Sequence, residues 1–254
     1  MVIIYRKHNY VNKNISIIRD LTIREYDIKS AGMNILYTKG FIEEEEYKVL
    51  SEMDKLKRNI IIGKWLRDNP DVNKIMMDEF IQIRKQFFEA NDLNNDDILS
   101  IKKDAIFVID KKLNNLIFGN YVFVEKELYT SYFHLNKQEE YYYNKYKDIL
   151  EVKGFSDNIK EFQSNYYFKL IKELMKNIKD KDKLFEILIE FKDDFLSKSL
   201  PKEYYKDVHE NMYLFSMCGN TNILGLDEID NDLLDFVSID MNLKYINQII
   251  NVFL

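Results

Sequence analysis

The stretch that follows Pro70 most constrains the fold, because it carries the most regular helical pattern in the chain. Its apolar side chains recur every three or four residues and share one helical face: Val72, Ile75, Met76, Phe80, Ile83 and Phe87. Asp68-Asn69-Pro70 breaks the pattern before it, and Pro70 suits the first position of a helix. The helix is expected to end near Asn91, before a polar turn.

β-Structure is predicted on both sides of this helix. Residues 1–28 contain the apolar run Val2-Ile3-Ile4-Tyr5 and alternating apolar positions in a strand that runs into Asp27. A second β region covers residues 98–135, with strands at 98–101, 105–109, 116–118 and 121–124 and an extension over 129–135. Lys102-Lys103-Asp104 lies at the tip of the first hairpin of this region, and residues 43–66 are predicted to be helical.

The pattern becomes mainly helical beyond about residue 150. One apolar stripe runs from Ile159 to Ile178 with Ser156 as the N-cap, and another runs from Leu184 to Phe195. A third helix is expected to start at Pro201, and a last one to cover residues 243–253. We therefore predict an α+β fold: a small antiparallel sheet with packed helices over residues 1–150, followed by a helical region over residues 151–254.

Composition excludes several classes of protein. The 254 residues are 46% hydrophobic and 31% charged, which is typical of a folded globular protein. No apolar run approaches the length of a membrane span, so no membrane partner is expected. A lone cysteine, Cys218, cannot form an internal disulfide and suits a reducing cytoplasm, where we expect it to be a small buried side chain. Three scattered histidines lack the spacing of a zinc site.

Two single carboxylates stand at the ends of predicted strands, Asp27 in the first β region and Asp104 in the second. A pair of carboxylates from separate strands is a common way to hold a divalent cation against phosphate oxygens. Lys55 and Asn59 are four residues apart, share one helical face and are suited to grip a triphosphate. The structural alternatives are an aspartate in a turn, a solvated hairpin tip and a solvated basic helix face.

These stretches resemble the three palm and fingers motifs of family B DNA polymerases, in the same order. Asp27-Ile28-Lys29-Ser30-Ala31-Gly32-Met33 resembles motif A, D-x-x-S-L-Y-P. Lys55, Asn59 and Gly63 keep the spacing of motif B, K-x-x-x-N-S-x-Y-G. The stretch from Ser100 to Val108 resembles motif C, Y-x-D-T-D-S-x-F-V. The likeness covers roughly residues 15–135 and lacks the large N-terminal and exonuclease regions of such enzymes.

The resemblance implies roles for individual residues. Asp27, Asp104 and the carbonyl of Ile28 would bind two Mg²⁺ (or Mn²⁺) ions. The substrate-binding residues would be Lys55, Asn59, Gly63, Ser30, Gly32 and Arg58. Residues 41–68 would form minimal helical fingers within a palm-like domain of residues 1–150, and residues 151–254 would take the place of a thumb. The expected partners are nucleoside triphosphates, a nucleic-acid template and primer, and another replication subunit.

Three positions depart from the family pattern. Lys102 stands where motif C has its first aspartate, so that a cation replaces one carboxylate beside the expected metal ions. Gly32 replaces the motif A tyrosine that blocks a ribose 2′-hydroxyl, and its absence would admit ribonucleotides. Ile62 replaces the motif B tyrosine under the nascent base pair. These departures indicate a primer-making or RNA-synthesising enzyme, or a palm that has lost catalysis.

Two further hypotheses remain open. The net charge of −6 and Lys102 favour a catalytically inactive, polymerase-like protein that binds nucleic acid or a replication or host partner. The other hypothesis is a partner-binding protein without a palm, which predicts that Asp27 and Asp104 lie far apart. Tyr141–Tyr143 and Tyr146 either stack on bases or form an aromatic core or interface. Compact size and the Lys, Ile, Asn and Tyr bias suggest a phage-encoded replication protein in the host cytoplasm.

Overall fold

The computed structural model describes residues 4–136, 138–209, 213–217, 220–224 and 239–254. They form two compact units, the first from Met1–Asn12 and Thr22–Leu128 and the second from Lys13–Leu21 and Tyr129–Leu254. Each unit combines antiparallel strands with helices, so the predicted α+β class is confirmed. The division into domains at about residue 150 stays a prediction.

The elements of the first unit follow the predicted order of strands and helices. In chain order they are β1 (Asn9–Val11), the end of β2 (Ile17–Ile28), α1 (Ala31–Thr38), α2 (Glu44–Glu52), α3 (Lys55–Asp68), α4 (Pro70–Ala90), β3 (Ile98–Lys102), β4 (Ala105–Ile109), β5 (Ile117–Phe118) and the start of β6 (Tyr121–Leu135). The strands lie in the order β1–β3–β4–β2–β6, with β5 paired to β6. β2 is therefore an interior strand, hydrogen-bonded to β4 on one side and β6 on the other.

The predicted helix after Pro70 is confirmed as α4, with Pro70 in its first turn. Its apolar stripe is buried from Met76 onward, and Phe87 has no exposed surface, whereas Val72 is half-buried and Ile75 is 41% exposed. The Phe87 ring packs at 4.0 Å from the Phe123 ring and at 5.8 Å from the Tyr26 ring, measured between centroids. Full burial of such a side chain contributes roughly 1.5–3 kcal/mol, and the alternation of β2 brings Tyr26 and Ile28 into this core.

The helical structure predicted over residues 43–66 is confirmed and is divided into two helices, because Met53 is extended and the Asp54 side chain accepts hydrogen bonds from the backbone N–H groups of Leu56 and Lys57. The β-structure expected at Val2–Tyr5 is wrong where this stretch is described, since Ile4–Arg6 is a 3₁₀ helix.

The second unit contains the elements that follow residue 128. They are the end of β6, β7 (Glu139–Asn144), β8 (Ile149–Lys153), α5 (Asp157–Gln163), α6 (Tyr167–Lys176), α7 (Lys181–Leu196), β9 (Tyr213–Met217), β10 (Asn220–Leu224) and α8 (Ile239–Phe253). The start of β2 also belongs to this unit, where the strand order is β2–β6–β7–β8, while β9 and β10 pair with each other.

Helix prediction in the second unit is largely confirmed. Ser156 caps α5, the stripe from Ile159 to Ile178 is divided between α5 and α6, and α8 covers the predicted last helix. The helix expected from Pro201 is wrong in extent, because only a 3₁₀ turn at Lys202–Tyr205 forms. Tyr141, Tyr142 and Tyr143 are buried in β7, which confirms the aromatic core.

No helix within the described parts of the chain is long and apolar enough to cross a membrane. Cys218, with its expected burial, lies outside the described residues.

Candidate carboxylate site

The backbone of the first unit makes Asp27 and Asp104 neighbours. Asp27 pairs with Ala105 across β2 and β4, and Asp104 directly precedes Ala105 in the two-residue turn between β3 and β4. Paired Cα atoms lie at most about 5.5 Å apart, and consecutive ones 3.8 Å, so the two aspartate Cα atoms lie within about 9 Å. The hypothesis of a partner-binding protein without a palm predicts that these two aspartates lie far apart, and the strand register does not agree with that prediction.

Asp27 is half-buried, and its Oδ1 atom is buried without a hydrogen-bond partner. Burial, followed by the negative charge of Asp104, raises the pKa of the Asp27 carboxyl to about 6. Lys126 and Lys55 oppose this rise because their positive charges favour the carboxylate. A carboxyl group with a like charge beside it and one buried oxygen atom that accepts no hydrogen bond is unusual in a merely structural position.

An ion pair with a buried carboxylate lies on the same face of β2. Glu25 precedes Asp27 by two residues, so both side chains point to one side of the strand. The Glu25 side chain is 1% exposed, and its Oε1 lies 2.8 Å from Lys126 Nζ. Lys126 thus neutralises Glu25 and also acts on Asp27, while Glu25 raises the pKa of Asp27.

Arg84 is hydrogen-bonded to the turn that carries Asp104. This fully buried arginine of α4 donates from Nε to the Tyr5 carbonyl at 2.9 Å and from Nη1 to the Lys103 carbonyl. Lys103 has a φ of +53°, and its N–H donates to the His8 carbonyl at 2.7 Å. Burial lowers the pKa of Arg84 to about 10, and the attraction of Asp104 opposes this. A left-handed lysine is thereby fixed at both of its backbone hydrogen-bonding groups.

The predicted phosphate-binding residues lie on α3. Lys55, Asn59 and Gly63 are exposed along this helix, and Arg58 is half-buried. A Cβ atom on Gly63 would meet nothing within 4 Å, so this glycine leaves an open notch on the helix. Of these residues, Lys55 is near enough to Asp27 to lower its pKa. The roles of Asn59, Gly63 and Arg58 stay predictions.

The residues after Asp27 form the start of α1. Ile28 is the last residue of β2 with a buried side chain, and Ser30 is the N-cap of α1 with a φ of +48°. The Ser30 side chain makes no capping hydrogen bond. A Cβ on Gly32 would lie 3.6 Å from Ile62 Cγ2, so the two positions that depart from the motif A and motif B tyrosines adjoin each other.

The donor set suits a divalent cation bound together with phosphate oxygens. Asp27 and Asp104 supply two carboxylates, one with a buried and unsatisfied oxygen atom. Within the described ranges, no group of three or more His, Cys, Asp or Glu side chains is placed to hold a metal ion. Mg²⁺ is commonly bound through one or two carboxylates, with waters and substrate phosphates completing the shell. The residues therefore fit Mg²⁺ that arrives with a nucleotide and do not form a complete protein cage.

Sequence reasoning missed Glu25, Lys126 and Arg84. The signal for Glu25 was its position two residues before Asp27, on the same face of an interior strand. Arg84 interrupts the apolar stripe of α4 between Ile83 and Phe87, which marks it as a buried charge in need of partners. Lys126 gave no comparable signal, because only the pairing of β6 with β2 brings it to the site.

The sequence matches the family described as bacteriophage PBS1 gene 130 protein over residues 1–254, and the chain therefore belongs to this phage family. No curated protein matches the chain.

Proposed function

From a phage protein with two neighbouring carboxylates as the premise, we propose that the chain is a template-directed nucleotidyltransferase of the polymerase or primase type. Its substrates would be nucleoside triphosphates, and ribonucleotides would be accepted because Gly32 leaves no ring against the 2′-hydroxyl. A nucleic-acid template and primer and another replication subunit would be its partners, in the cytoplasm of the infected host.

The observation that carries the proposal is the environment of Asp27. Its carboxyl has a buried oxygen without a hydrogen bond, faces the charge of Asp104 and lies within the field of Lys55. These are one residue from each of the three polymerase-like motifs. If the three motifs matched by chance, these side chains, spread over more than seventy positions of the sequence, would not be expected to lie close enough to affect one another's charge.

Each residue has a definite part in this proposal. Asp27 and Asp104 would hold Mg²⁺ or Mn²⁺, with the Ile28 carbonyl as a further ligand; the bound ions would lower the pKa of a primer hydroxyl and neutralise phosphate charge. Lys55 and Asn59, with Arg58 beside them, would position the triphosphate, and Gly63 would allow close approach of the base pair. Arg84 would fix the orientation of Asp104 through the Lys103 carbonyl.

A second candidate function is a catalytically inactive, polymerase-like protein that binds nucleic acid or a replication or host partner. The observation that favours it is Lys102, a cation paired directly with Ala105 at the end of β3, next to the turn that carries Asp104. Its charge would weaken metal binding between Asp27 and Asp104.

Primer extension and de novo synthesis test the two candidates directly. The wild-type chain and the Asp104→Ala variant are incubated with all four NTPs or dNTPs and Mn²⁺, and incorporation is measured. The proposal expects incorporation by the wild type only. Equal incorporation by both proteins, or by neither, contradicts catalysis.

A binding measurement separates loss of chemistry from loss of the site. Mn²⁺ with a triphosphate should raise the melting temperature of the wild type but not of Asp27→Ala, because a ligand that binds only the folded state stabilises it. An equal shift in both proteins would place the metal ion elsewhere.

A further inference from the structure

A lysine-rich surface with a protruding aromatic ring lies in the second unit, and none of its residues belongs to the carboxylate site. Tyr146 is at the tip of the β7–β8 turn and 75% exposed. Four lysines form two groups of ion pairs that each include a residue of this turn: Lys145 and Lys179 pair with Asp20, and Lys172 and Lys176 pair with Asp148. We call Tyr146 and these four lysines the Tyr146 surface. The Tyr146 ring makes no contribution to the core and is accessible to a ligand.

The turn holds Tyr146 in a defined place. The Asn144 side chain accepts hydrogen bonds from the backbone N–H groups of Tyr146 and Lys147, at 2.9 and 3.1 Å. Asp148 follows with a φ of +53°, and its carboxylate accepts a hydrogen bond from the Tyr143 hydroxyl at 2.9 Å. Lys145 Nζ lies 5.4 Å from the centroid of the Tyr146 ring. The ring is therefore presented by a fixed turn, with a cation at its face.

The lysines outnumber the carboxylates that they contact. Asp20 is shared by Lys145, at 2.5 Å, and Lys179. Asp148 is shared by Lys172 and Lys176, at 3.0 and 3.5 Å, and Glu173 lies 4.0 Å from Lys176. Four lysines against three carboxylates leave one positive charge. This local excess occurs in a chain whose net charge is −6.

We propose that the Tyr146 surface binds single-stranded nucleic acid, with an unpaired base stacked on Tyr146 and the phosphates along the lysines. Base stacking on an exposed ring beside a basic groove is the usual means of sequence-tolerant strand binding. Duplex bases are already stacked and offer no free face to the ring. That the strand is a template or primer rests on the proposed function, whereas the binding itself rests only on these side chains.

The test is a fluorescence-anisotropy titration of a labelled 12-nucleotide oligothymidylate with the full chain. It is performed at low salt, without divalent ions or triphosphate, so that the carboxylate site does not affect the outcome. Tyr146→Ala should weaken binding by about five- to hundredfold, the loss that stacking of one base accounts for. Tyr146→Phe keeps the ring and should bind as the wild type does. Phe185→Ala is the matched control, because Phe185 is a second exposed ring of this unit, at 55% exposure.

Salt dependence tests the lysines separately. The double variant Lys172→Gln/Lys176→Gln should make the slope of log affinity against log salt shallower by about 1.4, since each phosphate contact on a single strand contributes about 0.7. An unchanged slope would show that Lys172 and Lys176 do not contact the phosphates. Inorganic polyphosphate serves as a competitor without bases.

Several outcomes would overturn the proposal. One is a wild type that does not bind the oligonucleotide; another is Tyr146→Ala binding as tightly as Tyr146→Phe; a third is an equal loss in Phe185→Ala. Polyphosphate binding that equals oligonucleotide binding and ignores Tyr146→Ala would identify a general anion surface. Incorporation of nucleotides with no effect of Tyr146→Ala on binding would reject this surface alone, and strand binding without incorporation would reject catalysis alone.

Discussion

Buried acidic groups occur in both units, but their surroundings differ. In the second unit Glu139 is nearly buried and its Oε1 lies 2.6 Å from His209 Nε2. Asp207 accepts a hydrogen bond from the His209 backbone N–H at 2.7 Å and lies 3.6 Å from Nδ1 of the same ring. In the first unit Asp27 has a like charge beside it and a buried oxygen without a donor.

The difference separates a structural network from a candidate site. Hydrogen bonds to Asp207 and Glu139 raise the pKa of His209 to about 10, so a cation stands between two carboxylates. Arg84, a buried cation of the first unit, instead donates to the backbone carbonyls of Tyr5 and Lys103 and contacts Nδ1 of His8, while the Oδ1 atom of Asp27 has no hydrogen-bond partner. Unsatisfied buried charge costs stability and persists where another requirement retains it.

The largest expected effect tests whether Arg84 stabilises the first unit through its hydrogen bonds to backbone carbonyls. Arg84→Ala leaves the carbonyls of Tyr5 and Lys103 without donors and opens a cavity in the first unit, so the free energy of unfolding should fall by about 3–5 kcal/mol. Urea denaturation measures this loss. Arg67→Ala, at an exposed position of α3, is the control and should change stability by less than about 0.5 kcal/mol. A loss below about 1 kcal/mol for Arg84→Ala would contradict the assignment.

The next effect concerns activity at the carboxylate site. Asp27→Asn should lower nucleotide incorporation by at least about 100-fold, since even residues that only support metal ligands typically contribute 10- to 100-fold. Asp110→Asn is the matched control, because Asp110 is an exposed aspartate just beyond β4. Equal activity of the two variants would remove Asp27 from the site.

The His209 network should show its own pH dependence. The folded-state pKa of His209, about 10, lies above the ordinary value of 6.5. The stability that protonated His209 gives the folded state is therefore complete below pH 6.5 and is lost as the pH rises towards 10. His209→Gln should lower the free energy of unfolding by about 1–2 kcal/mol at pH 6, a value reduced because the side chain is half-exposed, and should flatten the decline between pH 6.5 and 10. Thermal unfolding across this range measures the loss at pH 6 and the decrease of stability between pH 6.5 and 10. If stability decreases as steeply in His209→Gln as in the wild type, the prediction is wrong.

The last effect has the opposite sign. Because the pKa of Asp27 is raised, its ionised carboxylate destabilises the folded state. This destabilisation is absent below pH 3.8 and complete above about pH 6. Asp27→Asn should therefore stabilise the chain by about 1–2 kcal/mol at pH 8 and by nothing at pH 3.5. Melting temperatures of the variant and the wild type at the two pH values measure the difference. Destabilisation at pH 8 would make Asp27 a structural residue like Glu139.

Local patterns predicted much of the secondary structure. The stripe of α4, Pro70 at its start and the hairpin with Asp104 in its turn follow from periodicity and turn chemistry, which act within a few residues. The break at Met53-Asp54 was missed because an apolar stripe continues through it while the cap that divides it is a single side chain. β7 was missed because its side chains are buried on both faces and show no alternation.

The sequence by itself determined the α+β class, the main helices and the choice of Asp27 and Asp104 as residues of interest. Only the tertiary structure decided that Asp27 pairs with Ala105, that Arg84 holds the Asp104 turn and that Lys126 and Glu25 adjoin the site. These contacts join positions 19 to 101 residues apart. Strand register and helix packing set such distances, and the folding of the whole unit fixes both.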